Sequence, residues 1–358
     1  MDAIQPLIRI PRLTRPISLR LAAWLHHGLQ GSVPRSTRNR ILRAGSMSPA
    51  PFSTTSRSSV KVTVGPRRDS FANARFTTVD VPPFEFWAAQ ARPPLVDDLS
   101  PEECAATARK YAALALEDPP NWRETLTTKH DISLYTLHHL ANMIIMGPPS
   151  PAWNLGTHIL YTCVQLSYRP SILTMVRLAL RSNNLGGRQF SAAEEAFARL
   201  LARRDDPDAC TLQGLIYAKQ DSRAADDRAS EWFRRAIQIG GEEPGAWEWQ
   251  LSCVMGLATI YVKQKHGKQA KEMLRYAAVN LDIPEACWLY ASVLDKHDAK
   301  RPSWLKKAAA SGIEAAAREL AQIELAGLDD GGLSRKKRAE KAALAEEWLG
   351  IAGDKALS

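Results

Sequence analysis

One spacing of residues recurs along most of the chain. A small residue is followed four positions later by a large apolar residue, and three positions after that by a second small residue. Positions three, four and seven apart lie on one face of an α-helix, so each copy predicts a helix with an apolar stripe. Copies stand at Gly156/Leu160/Cys163, Ala193/Phe197/Leu200 (with leucine in the last place), Ala229/Phe233/Ala236 and Ala270/Leu274/Ala277, and relaxed copies at Arg301/Leu305/Ala308 and Ala345/Leu349/Ala352.

The distance between successive copies limits the architecture. The large residues at 160, 197, 233, 274, 305 and 349 follow one another in steps of 37, 36, 41, 31 and 44 residues. Each step is long enough for two helices and a turn of variable length. Because a single helical hairpin cannot bury its apolar face alone, such hairpins stack on their neighbours. The sequence therefore predicts an all-α solenoid of about six helical hairpins.

The most regular hairpin is predicted over Val254–Ala277. Its first half places Leu257, Ala258 and Tyr261 on one face, and its second half carries the small and large residues described above. A polar turn centred on Gly267 separates the two halves. This pattern predicts two amphipathic helices joined by a short connection.

Two stretches resemble a known repeat family. Ala209–Tyr217 reads ACTLQGLIY and Trp304–Gly312 reads WLKKAAASG, and both are similar to Sel1-like repeats, the longer-turn relatives of tetratricopeptide repeats. The resemblance covers residues 205–312 well and residues 130–204 and 313–353 loosely. Leu294 stands where the family usually has Tyr, and Arg301 replaces a small residue. These departures affect the repeat count rather than the architecture.

The N-terminal residues 1–60 have the composition of a mitochondrial presequence, rich in Arg and Ser and almost free of acids. Of 47 lysines and arginines, 12 lie in residues 1–68 beside one acid, Asp2, which leaves 35 basic and 37 acidic residues in the rest. We expect residues 1–60 to be disordered, to engage the mitochondrial import machinery and to be cleaved near Phe52. No hydrophobic sorting segment follows, which favours the matrix. The alternative is a basic tail that binds nucleic acid or anionic lipid.

A Pro-rich arm and a helical body follow. Residues 61–99 contain five prolines together with Phe84, Phe86 and Trp87, and they predict an extended linker arm that either packs on the body or binds a partner. Ser100, with Pro101 next and Glu103 three positions on, has the pattern of a capping box at the start of a helix. We therefore place the helical repeat domain at residues 100–353.

The sequence contains none of the motifs that would indicate an enzyme. It has no Gly-rich phosphate loop, no GxSxG and no HExxH. His138 and His139 are adjacent, so on a helix they point to different faces and cannot chelate one metal ion. The five cysteines are widely spaced, which favours buried apolar residues over disulfides or zinc ligands. No apolar run is long enough to span a bilayer. We therefore predict no enzymatic activity, no cofactor and no metal.

The resemblance to tetratricopeptide-like solenoids implies a protein-binding groove lined by the first helix of each hairpin. Lys and Asn at such positions grip acidic chaperone tails in that family, whereas Thr, Met and Trp occupy them here. The groove is thus expected to be apolar and to bind a helix or an extended peptide, with Trp288 as its anchor; alternatively, Trp288 packs between repeats. The implied lining residues are Thr211, Leu215, Met255, Thr259, Trp288 and Ser292, with Lys263 and Lys296 at the edge.

These observations lead to one main hypothesis and two rivals. The main hypothesis is a non-enzymatic protein-interaction scaffold in mitochondria, which the resemblance extends to an assembly factor for a respiratory complex. The first rival is an organellar RNA-binding helical-repeat protein, acting in transcript maturation or with the mitoribosome. Phosphate binding requires clustered Lys and Arg, and the nearly neutral body argues against nucleic acid as a partner. An enzyme is the third hypothesis.

Overall fold

The computed structural model describes residues 71–73, 75–90, 99–147, 149–329 and 333–353, and the predicted presequence 1–60 lies outside them. These described residues form fourteen α-helices and three short 3₁₀ turns, with no strand among them. In chain order the helices are α1 (Phe84–Gln90), α2 (Pro101–Glu117), α3 (Leu134–Met146), α4 (Ala152–Gln165), α5 (Arg169–Arg181), α6 (Ser191–Arg203), α7 (Pro207–Ala218), α8 (Arg223–Gly240), α9 (Gln250–Lys263), α10 (Gly267–Val279), α11 (Pro284–Val293), α12 (Arg301–Ala310), α13 (Glu314–Ala326) and α14 (Arg335–Ile351).

Helices α3 to α14 pair into hairpins. The pairs are α3/α4, α5/α6, α7/α8, α9/α10, α11/α12 and α13/α14, and each hairpin packs on the next. The described part of the chain therefore contains six such hairpins, which confirms the predicted all-α solenoid. The first helices of hairpins two, three and four also pack side by side, because α7 contacts both α5 and α9.

The repeated small and large residues hold the hairpins together. Phe233, Leu274 and Leu305 are fully buried, and the small residues that flank them in α8 and α10 are almost completely buried as well. In the regular hairpin α9/α10, Leu257, Ala258 and Tyr261 are buried as predicted. The spacing read from the sequence thus corresponds to the contact faces of the helices.

Phe233 occupies a close approach between hairpins three and four. Its ring lies between Gly214 on α7 and Gly256 on α9. A Cβ atom at position 214 would stand 2.5 Å from ring atom Cε1, and a Cβ at position 256 would stand 2.6 Å from Cζ. Both distances are far below van der Waals contact, so only glycine leaves room for the aromatic ring.

Polar groups join the second helices of successive hairpins. The donor in each case stands two positions after the large core residue of a second helix. The acceptor is a carbonyl oxygen near the end of the second helix in the preceding hairpin. Arg235 Nη2 lies 3.4 Å from the Arg204 oxygen, and Lys307 Nζ lies 3.4 Å from the Ala278 oxygen. Tyr276 Oη donates likewise to the Glu242 oxygen. Carbonyls at a helix end have no partner within the helix, so these side chains satisfy them.

The helical body begins as predicted. Ser100 caps α2, with its Oγ accepting from the Glu103 amide at 3.2 Å and the Glu103 carboxylate accepting from the Ser100 amide at 2.9 Å. This pair of bonds is a capping box.

The preceding arm differs from the prediction, since residues 61–99 are not extended throughout. The 3₁₀ turn Thr78–Asp80 and helix α1 lie within this range. Helix α1 starts directly after Pro82 and Pro83 and buries Trp87, whose Nε1 donates to the Pro82 oxygen at 3.0 Å. Helix formation turns Trp87 towards α2 while Phe84 remains 44% exposed. Phe76 is also buried in the core, so this part of the arm packs on the body.

The glycine contacts predict opposite effects for two Gly→Ala substitutions. Gly256→Ala forces a methyl group into the Phe233 ring and should lower the free energy of unfolding by about 1–3 kcal/mol. Gly350→Ala, inside α14 with no atom near the new Cβ, should raise it by roughly 0.5–1 kcal/mol through helix propensity. Thermal unfolding followed by circular dichroism measures both effects.

A double variant tests the assigned cause. With Phe233→Leu in the background the clash is removed, so Gly256→Ala should then cost less than about 1 kcal/mol. An unchanged cost in that background would mean that Phe233 is not the residue that requires glycine at position 256.

Candidate protein-binding surface

Two of the predicted groove residues are not on the surface. Thr211 is completely buried, and its hydroxyl donates to the Pro207 oxygen at 2.9 Å. Met255 is 4% exposed and packs in the core shared by hairpins four to six. Helix α7 touches α8 as well as α5 and α9, so its solvent-facing strip is narrower than the family pattern implies. The prediction that Thr211 and Met255 line a groove is corrected by their burial.

The other predicted lining residues reach the surface to different degrees. Leu215 and Trp288 are half-buried, and each packs at the edge of a core cluster. Thr259 and Ser292 are exposed, and their hydroxyls donate to the carbonyls of Met255 and Trp288 at 2.8 and 2.9 Å. A partner would therefore meet a surface of two half-buried apolar side chains and two hydroxyls.

The two edge lysines differ in their surroundings. Lys263 Nζ lies 2.6 Å from an Asp221 carboxylate oxygen and 2.8 Å from an Asp226 oxygen. These bonds raise the pKa of Lys263 and tie the end of α9 to the turn of the preceding hairpin. Lys263 is therefore a bridge between hairpins. Lys296 is exposed and follows the end of α11.

A polar cluster that the sequence did not predict lies on the first helices of hairpins two to four. Arg169, in the first turn of α5, donates from Nε and Nη2 to Asp206 at 2.5 and 2.7 Å. The same Nη2 donates to Asp208 at 2.5 Å. The second oxygen of Asp208 accepts from the Trp249 amide at 2.8 Å. The cluster thus connects α5, α7 and the start of α9.

The loop 241–249 between α8 and α9 supplies Trp249 and places its neighbour Glu248 in the same cluster. Trp247 anchors this loop by donating from Nε1 to the Gly241 oxygen at 3.2 Å. Glu248 remains exposed at the surface while the two tryptophans are buried. The sequence signal for this loop is the step of 41 residues between Phe233 and Leu274, because that stretch contains residues 241–249.

The acids of the cluster differ in charge environment. Burial raises the pKa of the Asp206 carboxyl, but the Arg169 guanidinium and the backbone hydrogen bonds from Ala209 and Asp208 together outweigh that effect, so the pKa is lowered. The pKa of Asp208 is raised, because burial and the nearby Asp206 charge together exceed the effect of Arg169. The surrounding protein also raises the pKa of Glu248, and Asp208 adds to the increase. Arg169 therefore pairs with two aspartates, with Glu248 nearby, and its single positive charge cannot balance all three acids.

A small cavity of about 220 Å³ lies beside the first residues of the loop, Gly241 and Glu242. Its apolar lining comes from Ile237, Val254 and Met273, and charged side chains at positions 242, 272 and 275 line it as well. This volume is below the roughly 300–1,000 Å³ of ligand pockets that enclose drug-sized molecules. The cavity is large enough for a single side chain of a partner protein.

Two buried histidine networks have a structural explanation. His138 Nδ1 lies 2.9 Å from Ser171 Oγ, and its Nε2 lies 2.9 Å from Asn142 Nδ2. This arrangement resembles a nucleophile with its base, but Ser171 is completely buried and cannot meet a substrate. In the second network, Tyr111 Oη lies 2.8 Å from both His158 Nδ1 and Thr162 Oγ1. Both networks satisfy polar groups inside the core.

Two further observations concern metals and membranes. The described ranges contain no group of three or more His, Cys, Asp or Glu side chains able to hold a metal ion. No helix in the described part of the chain is long and apolar enough to cross a membrane. All five cysteines are free thiols in the core, which confirms that they are buried apolar residues. Burial raises the pKa of Cys104 to about 11 and that of Cys163 to about 12.

Comparisons with known proteins include a similarity to a solved structure. No protein-family model matches the sequence. No curated protein matches it either. Among solved structures, the chain is similar to c5321, described as a protective antigen present in uropathogenic Escherichia coli strains displaying an SLR fold, with 14% identity and a TM-score of 0.44 over 75% of this chain and 68% of that chain. The assignment of the fold rests on the six hairpins described above.

The buried histidines predict a loss of stability in acid. Burial lowers the pKa of His158 from 6.5 to about 4, so the unfolded chain binds more protons than the folded one below pH 6.5. The stabilisation is complete above pH 6.5 and declines towards pH 4 by about 1.4 kcal/mol per pH unit. In His158→Gln, denaturant unfolding across this range should show a smaller decline. His297→Gln, at an exposed histidine, is the control and should follow the wild type.

Proposed function

We propose that this chain is a non-enzymatic protein-interaction scaffold that acts in mitochondria and binds a peptide or helix of a partner protein along the first helices of its hairpins. The half-buried Trp288 on α11, with Ser292 one turn later and Lys296 beyond the helix end, is the observation that carries this proposal. A partly exposed tryptophan with polar neighbours is the kind of anchor that dominates binding energy in protein interfaces. Leu215 on α7 offers a second apolar contact.

The proposed location follows from the sequence of residues 1–60. Eight arginines and one acid, Asp2, precede Phe52, and the segment is rich in serine and threonine, as expected for a presequence. Import machinery would recognise this segment, and cleavage near Phe52 would release the arm and the solenoid. The absence of a hydrophobic sorting segment in the sequence favours the matrix as the compartment.

Within that compartment, we propose a role in the assembly of a respiratory complex. This step comes from the resemblance to Sel1-like mitochondrial proteins. A stack of hairpins presents many short surfaces in a fixed order, which suits a protein that holds a subunit before its final partners arrive.

Replacement of Trp288 tests the binding surface. Trp288→Ala should weaken partner capture from mitochondria by roughly thirtyfold, because an interface anchor of this kind contributes about 2 kcal/mol. Affinity purification of the tagged protein with quantitative mass spectrometry measures the loss. The melting temperature should change little, since Trp288 lies at the edge of the core rather than inside it.

Trp153 provides a matched control, because it is a 37% exposed tryptophan on α4, the second helix of its hairpin. Trp153→Ala should leave capture unchanged. Equal losses for both variants would contradict the proposed surface. Recovery of organellar RNA whose binding weakens with salt would favour the RNA-binding hypothesis instead.

Import can be tested separately from binding. Residues 1–60 fused to a fluorescent protein should direct it into the mitochondrial matrix, and the imported product should begin close to residue 53. Replacing Arg9, Arg12, Arg15 and Arg20 by Gln should abolish import, because positive charge drives presequence recognition. A fusion that stays outside mitochondria would contradict the proposed location without affecting the fold.

A further inference from the structure

Arg177 lies on α5, the first helix of the second hairpin, and its charge has no ion-pair partner among the described residues. Its Cζ atom lies 4.7 Å from the centre of the Trp249 ring, and the residue is half-buried. Among the described residues it makes no ion pair and no hydrogen bond. Contact with the Trp249 ring therefore holds the guanidinium in place, and no described residue accepts a hydrogen bond from its N–H groups.

Two neighbouring charges act on the Arg177 guanidinium. Burial and the like charge of Arg181 one turn later lower its pKa, Glu248 raises it, and the resulting pKa is about 10. The guanidinium is still charged at neutral pH. The charges that act on it are one acid, Glu248, and one other base, Arg181.

Arg169, on the same helix, differs from Arg177 because its guanidinium is paired with carboxylates. Two aspartates accept its hydrogen bonds at 2.5 to 2.7 Å. Glu248 lies close enough to influence both arginines, yet it forms an ion pair with neither within 4.0 Å among the described residues. The loop 241–249 thus brings a carboxylate near Arg177 without pairing the two groups.

We propose that Arg177, held on Trp249, binds a side-chain carboxylate from an acidic segment of a partner protein, and that Glu248 is an internal carboxylate that competes for the same guanidinium. The inference rests on the proposed protein-binding function and names the chemistry of its partner. Because Thr211 and Met255 are buried, it also moves the contact from the predicted positions on α7 and α9 to α5 and the loop.

The chemistry favours a carboxylate over other groups. A guanidinium presents two parallel N–H donors that match the two oxygens of a carboxylate, and such charge-assisted bonds are stronger than neutral ones. The Trp249 ring already orients the guanidinium, so less conformational freedom is lost on binding. Partial burial reduces screening by water and salt, which strengthens the attraction.

Peptide binding to the purified full chain tests the inference. The probe is a fluorescein-labelled polyglutamate peptide with an amidated C-terminus, so that only side-chain carboxylates are present, and polyglutamine is the neutral control. Fluorescence anisotropy should show that the chain binds polyglutamate and does not bind polyglutamine. Arg177→Gln should weaken it about tenfold, whereas Glu248→Gln should tighten it about threefold by removing the competitor.

Two variants on α8 control for general charge effects. Arg228→Gln removes an exposed arginine that also stacks on an aromatic ring, Tyr217, at 5.7 Å. Glu231→Gln removes an exposed acid with the same change in net charge as Glu248→Gln. Both should change affinity less than twofold. Should Arg177→Gln not fold by circular dichroism, Arg177→Lys keeps the charge without the planar fork and should bind about threefold more weakly than wild type.

The outcomes separate this inference from the proposed function. Equal effects of Arg177→Gln and Arg228→Gln, or no tightening in Glu248→Gln beyond that of Glu231→Gln, would overturn the inference. So would a chain that binds no polyglutamate yet still captures partners through Trp288, and in that case the scaffold function would stand. Loss of Trp288-dependent capture with polyglutamate binding intact would contradict the proposed surface and leave the Arg177 site in place.

Discussion

The close approach of neighbouring hairpins at Phe233 is the constraint on which the central part of the solenoid depends. One aromatic ring on α8 fills the space between glycines on α7 and α9, so a single side chain sets how closely hairpins three and four approach at this point. A solenoid has no central core, and each hairpin is stabilised only by its neighbours. The fit of one large residue against small ones therefore fixes the relative position of everything on either side.

Most of this framework could be predicted from the sequence, because it depends on local periodicity. The spacing of small and large residues gave the number of hairpins, and Ser100 with Glu103 gave the start of the body. The binding surface was predicted less well. Whether a first-helix residue is exposed depends on how many helices surround it, and the crowding of α7 buries Thr211. A pattern along one helix contains no information about neighbours that are distant in sequence.

The polar cluster shows why the remainder could not be predicted. Its members stand at positions 169, 206, 208, 248 and 249, and no short motif joins them. They meet because α5 packs beside α7 and because the end of the loop between α8 and α9 contacts Asp208. In a repeat protein the regular residues maintain the stack, so a surface that differs from its neighbours arises where the repeat is interrupted. Here the interruption buries two tryptophans, Trp247 and Trp249, and leaves the acid Glu248 exposed at that surface.

The cluster also couples the core to the surface. Burial disfavours charged groups unless they are paired, and Arg169 alone cannot balance Asp206 and Asp208, as the opposite pKa shifts of the two acids indicate. The Trp249 amide supplies the additional hydrogen bond that Asp208 needs. The requirement to satisfy Asp208 thus holds the start of α9 in place, and the same residue carries the indole on which Arg177 rests. The hydrogen bond from the Trp249 amide to Asp208 therefore sets the position of the Arg177 guanidinium and of the neighbouring Glu248 carboxylate.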